Sequence, residues 1–320
     1  MAVEQAILVV WESLDYVCAE RLTPVLLATA QHLARFGSLY LSREVEEQLA
    51  QISEATVTRL LRKHRSRKQR LPQKGPERAN QVRKPIPMKR IPWETSEPGH
   101  FEIDLVHHGG ESTDGLYAHT LQMIDVATGW SERVAVLGRG QRAMEGGFRR
   151  ILARLPFAVK ELHPDNGSEF LNAHLVRFWG EAITGLTLSR SRPYQKNDNR
   201  FVEQKNATLV RQYFGTLRLE TPEQVQAMNA LYDKMWVYYN FFQPVLHLQE
   251  KISEGDQVIR HWDQAQTPYQ RLIATQTLSV EQQTCLRAIY QQTNPLVLRK
   301  EIYRLLTALW EMPSAVITVA

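Results

Sequence analysis

Cysteine is scarce in this chain, with two residues, Cys18 and Cys285, among 320. Two thiols so far apart in sequence exclude a disulfide framework and a cysteine-rich zinc module. The sequence also lacks any apolar run of about eighteen residues, so no membrane span is expected. Its first residues, MAVEQAILVVWESLDY, have no basic segment before their apolar core and do not resemble a signal peptide. We therefore expect a cytoplasmic protein.

Low-complexity tracts and internal repeats are also missing. The hydrophobic fraction of 43% and the charged fraction of 23% are ordinary for a globular protein. A length of 320 residues is enough for two or three modules, each with a core of its own.

Positive charge is concentrated in one stretch. Between Val57 and Arg90 the sequence has thirteen Lys and Arg residues against a single acid, Glu77, a net charge of +12. The rest of the chain carries −7, so the overall +5 conceals one cationic segment on a mildly acidic protein. Such a block indicates contact with the phosphate backbone of a nucleic acid. A solvated linker that binds nothing is the alternative.

Residues 1–66 are predicted to be helical. Apolar side chains recur at helical spacing from Ile7 to Val17, and a second helix fits residues 24–36. These periodic faces predict a small helical core at the start of the chain.

Residues 41–65 predict two short helices joined by a tight turn, with Ser42 and Ser53 as their N-caps. This pattern is typical of a helix-turn-helix, which would place its second, basic helix against DNA. Short helix pairs are also common in proteins that bind no DNA. The side chains expected to face outward and contact DNA are Thr56, Thr58, Arg59, Arg62 and Lys63.

The remaining chain divides into three regions. Residues 67–98 predict a basic, proline-rich linker. From residue 99 to 250 we expect the catalytic core, and up to Gly215 its elements follow in the order three strands, helix, strand, helix, strand, helix, which predicts a mixed sheet flanked by helices. Residues 117–137 predict two of the strands, joined as a hairpin, and a further helix fits residues 222–241. Residues 195–215 predict a long helix with Asn199, Glu203 and Asn206 on one face. Residues 251–320 give mainly helical patterns.

Three carboxylates within 99–250 are candidates for one site. Asp104 lies on the first predicted strand, Asp165 follows the fourth strand in the turn HPDNGSEF, and Glu203 lies on a later helix. Each has a simple alternative, as a solvated strand residue, a turn former or a surface helix residue. Together they suit two-metal phosphoryl chemistry, because crowded carboxylates are costly unless cations neutralise them.

The segments HPDNGSEF and SRPYQKNDNRFVEQKN resemble the catalytic core of bacterial insertion-sequence transposases and retroviral integrases, the DDE group. EIDLV resembles the strand with the first aspartate, DVATGW the hairpin, and YNFFQP and TPYQRL further segments of this transposase subgroup. The resemblance implies a ribonuclease H-like fold of five mixed strands with flanking helices. Such transposases also carry a further N-terminal helix-turn-helix module, and we expect this chain to lack it.

The resemblance implies metal-dependent DNA cleavage and strand transfer at transposon ends and target DNA. Asp104, Asp165 and Glu203 would be the catalytic metal ligands, holding two Mg²⁺ ions for which Mn²⁺ can substitute. The resemblance also implies self-association on DNA, in a bacterial cytoplasm and on the nucleoid.

Weaker predictions concern residues near these carboxylates. Asn166 and Asn199 are expected to support the site. The basic residues expected to contact DNA phosphates, or else to form a solvated face, are Arg190, Arg192, Lys196, Arg200 and Lys205. Two other functions stay open: a catalytically inactive DNA-binding remnant or regulator, and a ribonuclease H-like nuclease that cuts without joining.

Overall fold

The computed structural model describes residues 2–64, 86–89, 91–92, 95–110, 112, 114–165, 167, 169–192, 199–254 and 257–313, with the backbone alone for 251–254 and 257–258. The chain divides into two compact units. The helical unit comprises the described residues of 1–70, 237–274 and 279–303, and the sheet unit those of 71–236, 275–278 and 304–320. Among the described helices, none is long and apolar enough to cross a membrane.

The helical unit begins with five helices: α1 (Ala2–Ser13), α2 (Ala19–Leu22), α3 (Leu26–Arg35), α4 (Arg43–Gln51) and α5 (Glu54–His64). A short 3-10 turn joins α2 to α3. Ile7, Val10 and Leu14 on the predicted face of the first helix are fully buried. The indole of Trp11 is also buried and donates a hydrogen bond to the Val17 carbonyl at 2.8 Å. The predicted helical core is therefore present.

Helices α4 and α5 form the predicted helix pair. The Ser42 hydroxyl accepts a hydrogen bond from the Val45 N–H, and the Ser53 hydroxyl accepts one from the Thr56 N–H, so both predicted N-caps are made. Val57 on α5 is buried. The helices and their caps are confirmed, while a helix-turn-helix that reads DNA stays a prediction.

The sheet unit contains the predicted mixed sheet. Its strands are β1 (His100–His107), β2 (Ala118–Asp125), β3 (Ser131–Leu137), β4 (Glu161–Pro164) and β5 (Thr187–Leu188). They lie in the order β3-β2-β1-β4-β5. β2 and β3 continue antiparallel from β1 as a meander, whereas β4 and β5 run parallel to β1. Five mixed strands were predicted, and this prediction is confirmed.

Helices cover both faces of this sheet. They are α6 (Gln141–Arg154), α7 (Ala173–Ala182), α8 (Arg200–Lys205), α9 (Gln212–Phe214) and α10 (Pro222–Phe242). Gly147 of α6 lies so close to the sheet that an added Cβ would be 3.0 Å from Val136. On the opposite face, the hydroxyls of Tyr232 on α10 and Thr120 on β2 are 2.5 Å apart.

The helix predicted for 195–215 is continuous from Arg200 to Phe214 but not uniform. A π-helical segment, Asn206–Arg211, separates α8 from α9. Such segments shift the side-chain positions by one residue and are frequent at functional sites. The predicted start of this helix, at 195–198, lies outside the described residues.

The predicted linker is partly a strand of the core. Most of 67–98 lies outside the described residues, but Met88 forms a parallel bridge with Arg190, next to β5. The Lys89 N–H donates to the Arg190 carbonyl, and the Arg190 N–H donates to the Pro87 carbonyl. An edge strand offers unpaired backbone groups, and the extended chain satisfies them. For residues 86–89 the linker prediction is therefore wrong.

The predicted helical region 251–320 and the core boundary at 250 also need correction. A β-hairpin, β6 (Leu248–Glu254) and β7 (Gln257–Trp262), precedes helices α11 (Pro268–Ala274), α12 (Val280–Gln292) and α13 (Pro295–Trp310). In the sequence, Gly255 and Asp256 separate the two strands, and a Gly-Asp pair is a turn signal. The division between the two units crosses α10 after Trp236, and beyond it Tyr238 and Gln243 donate hydrogen bonds to the carbonyls of Ser13 and Leu14, which belong to the same helical unit.

Candidate active site

Asp104 lies in the middle of β1 and is partly buried. Its carboxylate accepts hydrogen bonds from the Leu105 N–H at 2.8 Å and from Nδ2 of Asn206 at 2.5 Å. Burial, and then the charges of Asp165 and Glu203, raise the pKa of Asp104 to about 7. A bound cation would oppose all three effects, because it favours the ionised carboxylate.

Asp165 lies just beyond the end of β4, the strand that neighbours the β1 strand of Asp104. It directly follows Pro164, the last residue of β4, and the parallel register pairs Pro164 with Ile103. Asp104 follows Ile103 on β1, and Asp165 follows Pro164 just beyond the end of β4, so the two residues come next after a directly paired couple. That these two carboxylates share one metal site stays a prediction.

The Asp-Asn-Gly turn holds Asp165 through close packing. The Gly167 N–H donates to Oδ1 of Asp165 at 2.9 Å. A Cβ on Gly167 would lie 2.8 Å from this oxygen and 2.7 Å from the carboxylate of Glu169, so a larger residue would displace one or both of these side chains. Burial and the charge of Glu169 raise the pKa of Asp165 to about 6, although the Gly167 bond lowers it. Asn166, predicted to support the site, lies outside the described residues.

Glu203 lies on α8 at the edge of the site, with its side chain exposed. Its charge contributes to the raised pKa of both Asp104 and Glu102, which shows that its carboxylate is within electrostatic reach of β1. Within the described part of the chain, however, no group of three or more His, Cys, Asp or Glu side chains is arranged to hold a metal ion. Asp104 and Asp165 lie on neighbouring segments of the chain, while Glu203 is exposed and acts on Asp104 through its charge.

Two residues that contact this site were not predicted as site residues. Asn206 donates to Asp104, and its position three residues after Glu203 on one helix was visible in the sequence. Glu102 is buried and accepts hydrogen bonds from the N–H groups of Phe201 and Val202. The sequence offered one indication of this role: Glu102 and Asp104 are two residues apart on one strand, and therefore lie on the same face.

A buried amide lies on the other side of Asp104. Gln122 on β2 is directly opposite Asp104 in the antiparallel register and has no exposed surface. Neither polar atom of its side chain has a hydrogen-bond partner among the described residues. An unpaired buried amide costs about 1–3 kcal/mol, so its retention needs a reason beyond packing.

A polar network connects β4 to β5 and to the added edge segment. Nδ1 of His163 and the Ser189 hydroxyl are 2.7 Å apart, and the same hydroxyl donates to Glu161. Burial disfavours the ionised form of Glu161, but hydrogen bonds from His100, Lys89 and Ser189 outweigh it and lower its pKa to about 2. This network holds β4, and with it Asp165, in the sheet.

The residues predicted to contact DNA from α5 are mostly accessible. Thr58, Arg59, Arg62 and Lys63 are exposed, while Thr56 is half-buried and its hydroxyl is 3.0 Å from that of Ser53. Their contact with DNA stays a prediction.

The basic residues predicted around the site differ in accessibility. Arg190 is buried, and its Nε donates to the Ile86 carbonyl at 2.9 Å, which leaves it poorly placed for a phosphate. Arg192 is exposed, and Lys205 is half-buried. The guanidinium of Arg200 lies 4.7 Å from the ring centre of Phe201. Lys196 lies outside the described residues.

Asn199 occupies the N-cap of α8 without making a side-chain capping bond. It is buried, and its Oδ1 has no hydrogen-bond partner among the described residues. Its predicted supporting role therefore does not act through the usual capping contact.

Comparison with known proteins gives one sequence relative of substantial length. The chain is 34% identical over 270 residues to the "Uncharacterized protein y4rM" of Sinorhizobium fredii (strain NBRC 101917 / NGR234), an alignment that spans 84% of this chain and 77% of the relative. The chain belongs to the same family as this protein. No protein-family model matches the chain.

Among solved structures, the catalytic core domain of BIV integrase aligns with 55% of this chain and 95% of its own, at 18% identity and a TM-score of 0.35. That score is too low for the similarity to support a shared fold or function. The functional interpretation therefore rests on the strand order and on the site geometry.

Proposed function

We propose that this protein is a DDE-type DNA strand transferase, which cuts DNA strands and joins them to target DNA during transposition of an insertion sequence. The observation that carries the proposal is the pair of carboxylates, Asp104 on β1 and Asp165 directly after the neighbouring parallel strand β4, with pKa values raised to about 7 and about 6. Raised carboxyl pKa values that arise from burial and crowding are typical of catalytic sites.

The donor set fits divalent cations. Magnesium prefers oxygen ligands, and Asp104, on which the charges of Asp165 and Glu203 act, would hold the ions together with these two residues. In our proposal Asp165 and Glu203 complete the two sites, with Mn²⁺ able to replace Mg²⁺. When bound, the ions would activate the attacking oxygen and stabilise the leaving oxygen.

The surrounding residues keep these carboxylates in position. The amide of Asn206 orients Asp104, and the Gly167 N–H orients Asp165. Both bonds limit rotation of a ligand side chain, which matters because catalysis of this kind depends on positioning and charge stabilisation. Arg192, Arg200 and Lys205 are the basic residues that we propose to contact DNA phosphates near the site.

The rest of the chain would serve DNA binding and assembly. We propose that α5 contacts DNA at the transposon ends through its exposed Arg59, Arg62 and Lys63, and that copies of the chain associate on DNA. Phosphate contacts of this kind are salt-sensitive and independent of sequence.

The test is nicking of supercoiled plasmid in Mn²⁺ by the wild type and by Asp104→Asn, Asp165→Asn and Glu203→Gln. We expect nicking by the wild type and its loss, by at least about a hundredfold, in all three variants. Asp233→Asn is the matched control, because this exposed carboxylate on α10 pairs with arginines outside the site. Equal nicking by the wild type and the three variants would refute the proposal.

Joining separates a transferase from a simple nuclease. A labelled oligonucleotide with a free 3′-hydroxyl, incubated with target plasmid, should become covalently attached to it. Cleavage without attachment would instead support the ribonuclease H-like nuclease.

The inactive DNA-binding remnant is the second candidate, and the exposure of Glu203 favours it. In the described conformation this carboxylate is not grouped with Asp104 and Asp165 as a ligand set. The remnant predicts that the wild type binds DNA yet neither binds Mn²⁺ nor nicks DNA. Electron paramagnetic resonance of Mn²⁺ with the folded protein distinguishes the two.

A further inference from the structure

Helix α8 lacks a capping contact from its own sequence. Its N-cap residue, Asn199, makes no side-chain capping bond, although asparagine is among the best residues for that role. The N–H groups at the second and third helical positions, Phe201 and Val202, would otherwise lack a partner within the helix.

A strand residue supplies that contact instead. Oε2 of Glu102 accepts the Phe201 N–H at 2.8 Å and the Val202 N–H at 2.9 Å. These are the donors that an N-cap side chain would satisfy, and Glu102 reaches them from β1, about a hundred residues earlier in the sequence. Because Glu102 is 1% exposed, water cannot replace the bonds.

The same strand holds the helix at a second point. Asp104, two residues after Glu102 and on the same face, accepts the side-chain amide of Asn206. Glu203 lies between these two attachment points on the helix. Its distance from Asp104 therefore depends on both contacts.

We propose that Glu102 is a positioning residue for the reaction, which sets the place of Glu203 by capping α8 from β1. This inference rests on the proposed function of Asp104, Asp165 and Glu203. It assigns Glu102 no contact with substrate or metal. Its action is to fix the first turn of the helix that carries the third carboxylate.

Two substitutions separate the hydrogen-bond acceptor from the volume of the side chain. Glu102→Gln keeps an oxygen that can accept both N–H groups, whereas Glu102→Met keeps the size and removes the acceptor. Ser279→Ala is a matched control, because Ser279 caps α12 in the helical unit through a capping box.

The first readout is amide hydrogen exchange at Phe201 and Val202, measured on the full chain. We expect Glu102→Met to speed this exchange by about tenfold or more, in line with a lost helix cap, and Glu102→Gln to leave it near the wild-type rate. Ser279→Ala should affect the exchange of α12 alone. Unchanged exchange in Glu102→Met would overturn the proposal.

The second readout is the dependence of nicking and of Mn²⁺ binding on Mn²⁺ concentration. Glu102→Met should lower nicking by about ten- to a hundredfold and raise the Mn²⁺ concentration needed for half-saturation, and Glu102→Gln should restore both. Faster exchange with wild-type nicking and Mn²⁺ binding would mean a purely structural cap and would overturn the proposal. Equal loss in both variants would also overturn it, because the charge and not the hydrogen bonds would then matter.

The experiments distinguish failure of the proposed function from failure of the positioning role of Glu102. If the wild type itself neither binds Mn²⁺ nor nicks DNA, both the function and the positioning role fall. If the wild type is active and only the Glu102 variants behave unexpectedly, the positioning role alone falls.

Discussion

Removing the charge of Asp104 should make the protein more stable while it abolishes catalysis. The carboxyl pKa of about 7, against the ordinary value of 3.8, means that ionisation is unfavourable in the folded state. A pKa difference of about 3 corresponds to a loss of roughly 4 kcal/mol in the free energy of unfolding at pH values above 7. Asp104→Asn removes this cost and keeps the side-chain shape.

Part of that gain will be lost to hydrogen bonding. Asp104 accepts from two donors, the Leu105 N–H and the Asn206 amide, whereas asparagine offers one acceptor. Oδ1 of Asn206 has no hydrogen-bond partner among the described residues, so a flip of the Asn206 amide lets it accept from the amide introduced at position 104. We therefore expect a net stabilisation of about 3 kcal/mol at pH 8.

The stabilisation by Asp104→Asn should depend on pH in a definite direction. Because the folded-state pKa of this acid is raised, the folded protein binds more protons than the unfolded chain between about pH 4 and pH 7. The contribution of Asp104 to stability therefore falls as pH rises through that window. The advantage of Asp104→Asn should be largest at pH 8 and should disappear near pH 4.

The assay is urea unfolding in the presence of a chelator, followed by tryptophan fluorescence, at several pH values. Asp233→Asn is the control and should change stability by less than about 1 kcal/mol, because exposed ion pairs contribute little. Adding excess Mg²⁺ should stabilise the wild type and not Asp104→Asn. A variant that is less stable than the wild type at pH 8, or a difference independent of pH, would refute the reasoning.

Three further predictions concern other residues. Glu161→Gln should lower the free energy of unfolding by about 2–3 kcal/mol at pH 7, measured by urea unfolding. The difference from the wild type should shrink as pH falls from about 4.5 towards 2, because the lowered pKa of Glu161 stabilises the fold only while the group is ionised. Gln122→Met should raise the free energy of unfolding by about 1–2 kcal/mol, measured by thermal unfolding, because it removes an unpaired buried amide. The same substitution should reduce nicking, because we expect this amide beside Asp104 to be kept for function. Arg59→Ala and Arg62→Ala should each reduce the slope of log affinity against log salt by about 1 in DNA-binding titrations, and an unchanged slope would remove α5 from the DNA interface.

Much of the sheet unit could be predicted from local patterns. Alternation in FEIDLV and in the segment 117–137 predicted strands that are present, and the turn after HP placed Asp165 at a strand end. These features depend on residues that are neighbours in sequence, so their periodicity is visible without a structure. The caps at Ser42 and Ser53 are of the same kind.

Contacts between distant segments were not predictable in this way. The hairpin of β6 and β7 was missed because its strands are rich in polar residues, which leaves only a weak alternation. The burial of Arg190 depends on residues 86–89 reaching the edge of β5, which no pattern around Arg190 indicates. The π-helical segment after Lys205 is likewise absent from the regular spacing of Asn199, Glu203 and Asn206.

The sequence by itself determined which carboxylates lie on strands and which on a helix, because side-chain periodicity and turn chemistry are properties of short segments. Only the tertiary structure decided that the strand leading to Asp165 pairs in parallel with the strand of Asp104, that Glu203 is exposed, and that Glu102 caps the helix carrying it. The physical reason is that the register between β1 and β4 and the capping of α8 by Glu102 both arise when the sheet packs against its helices. That packing brings together groups about a hundred residues apart.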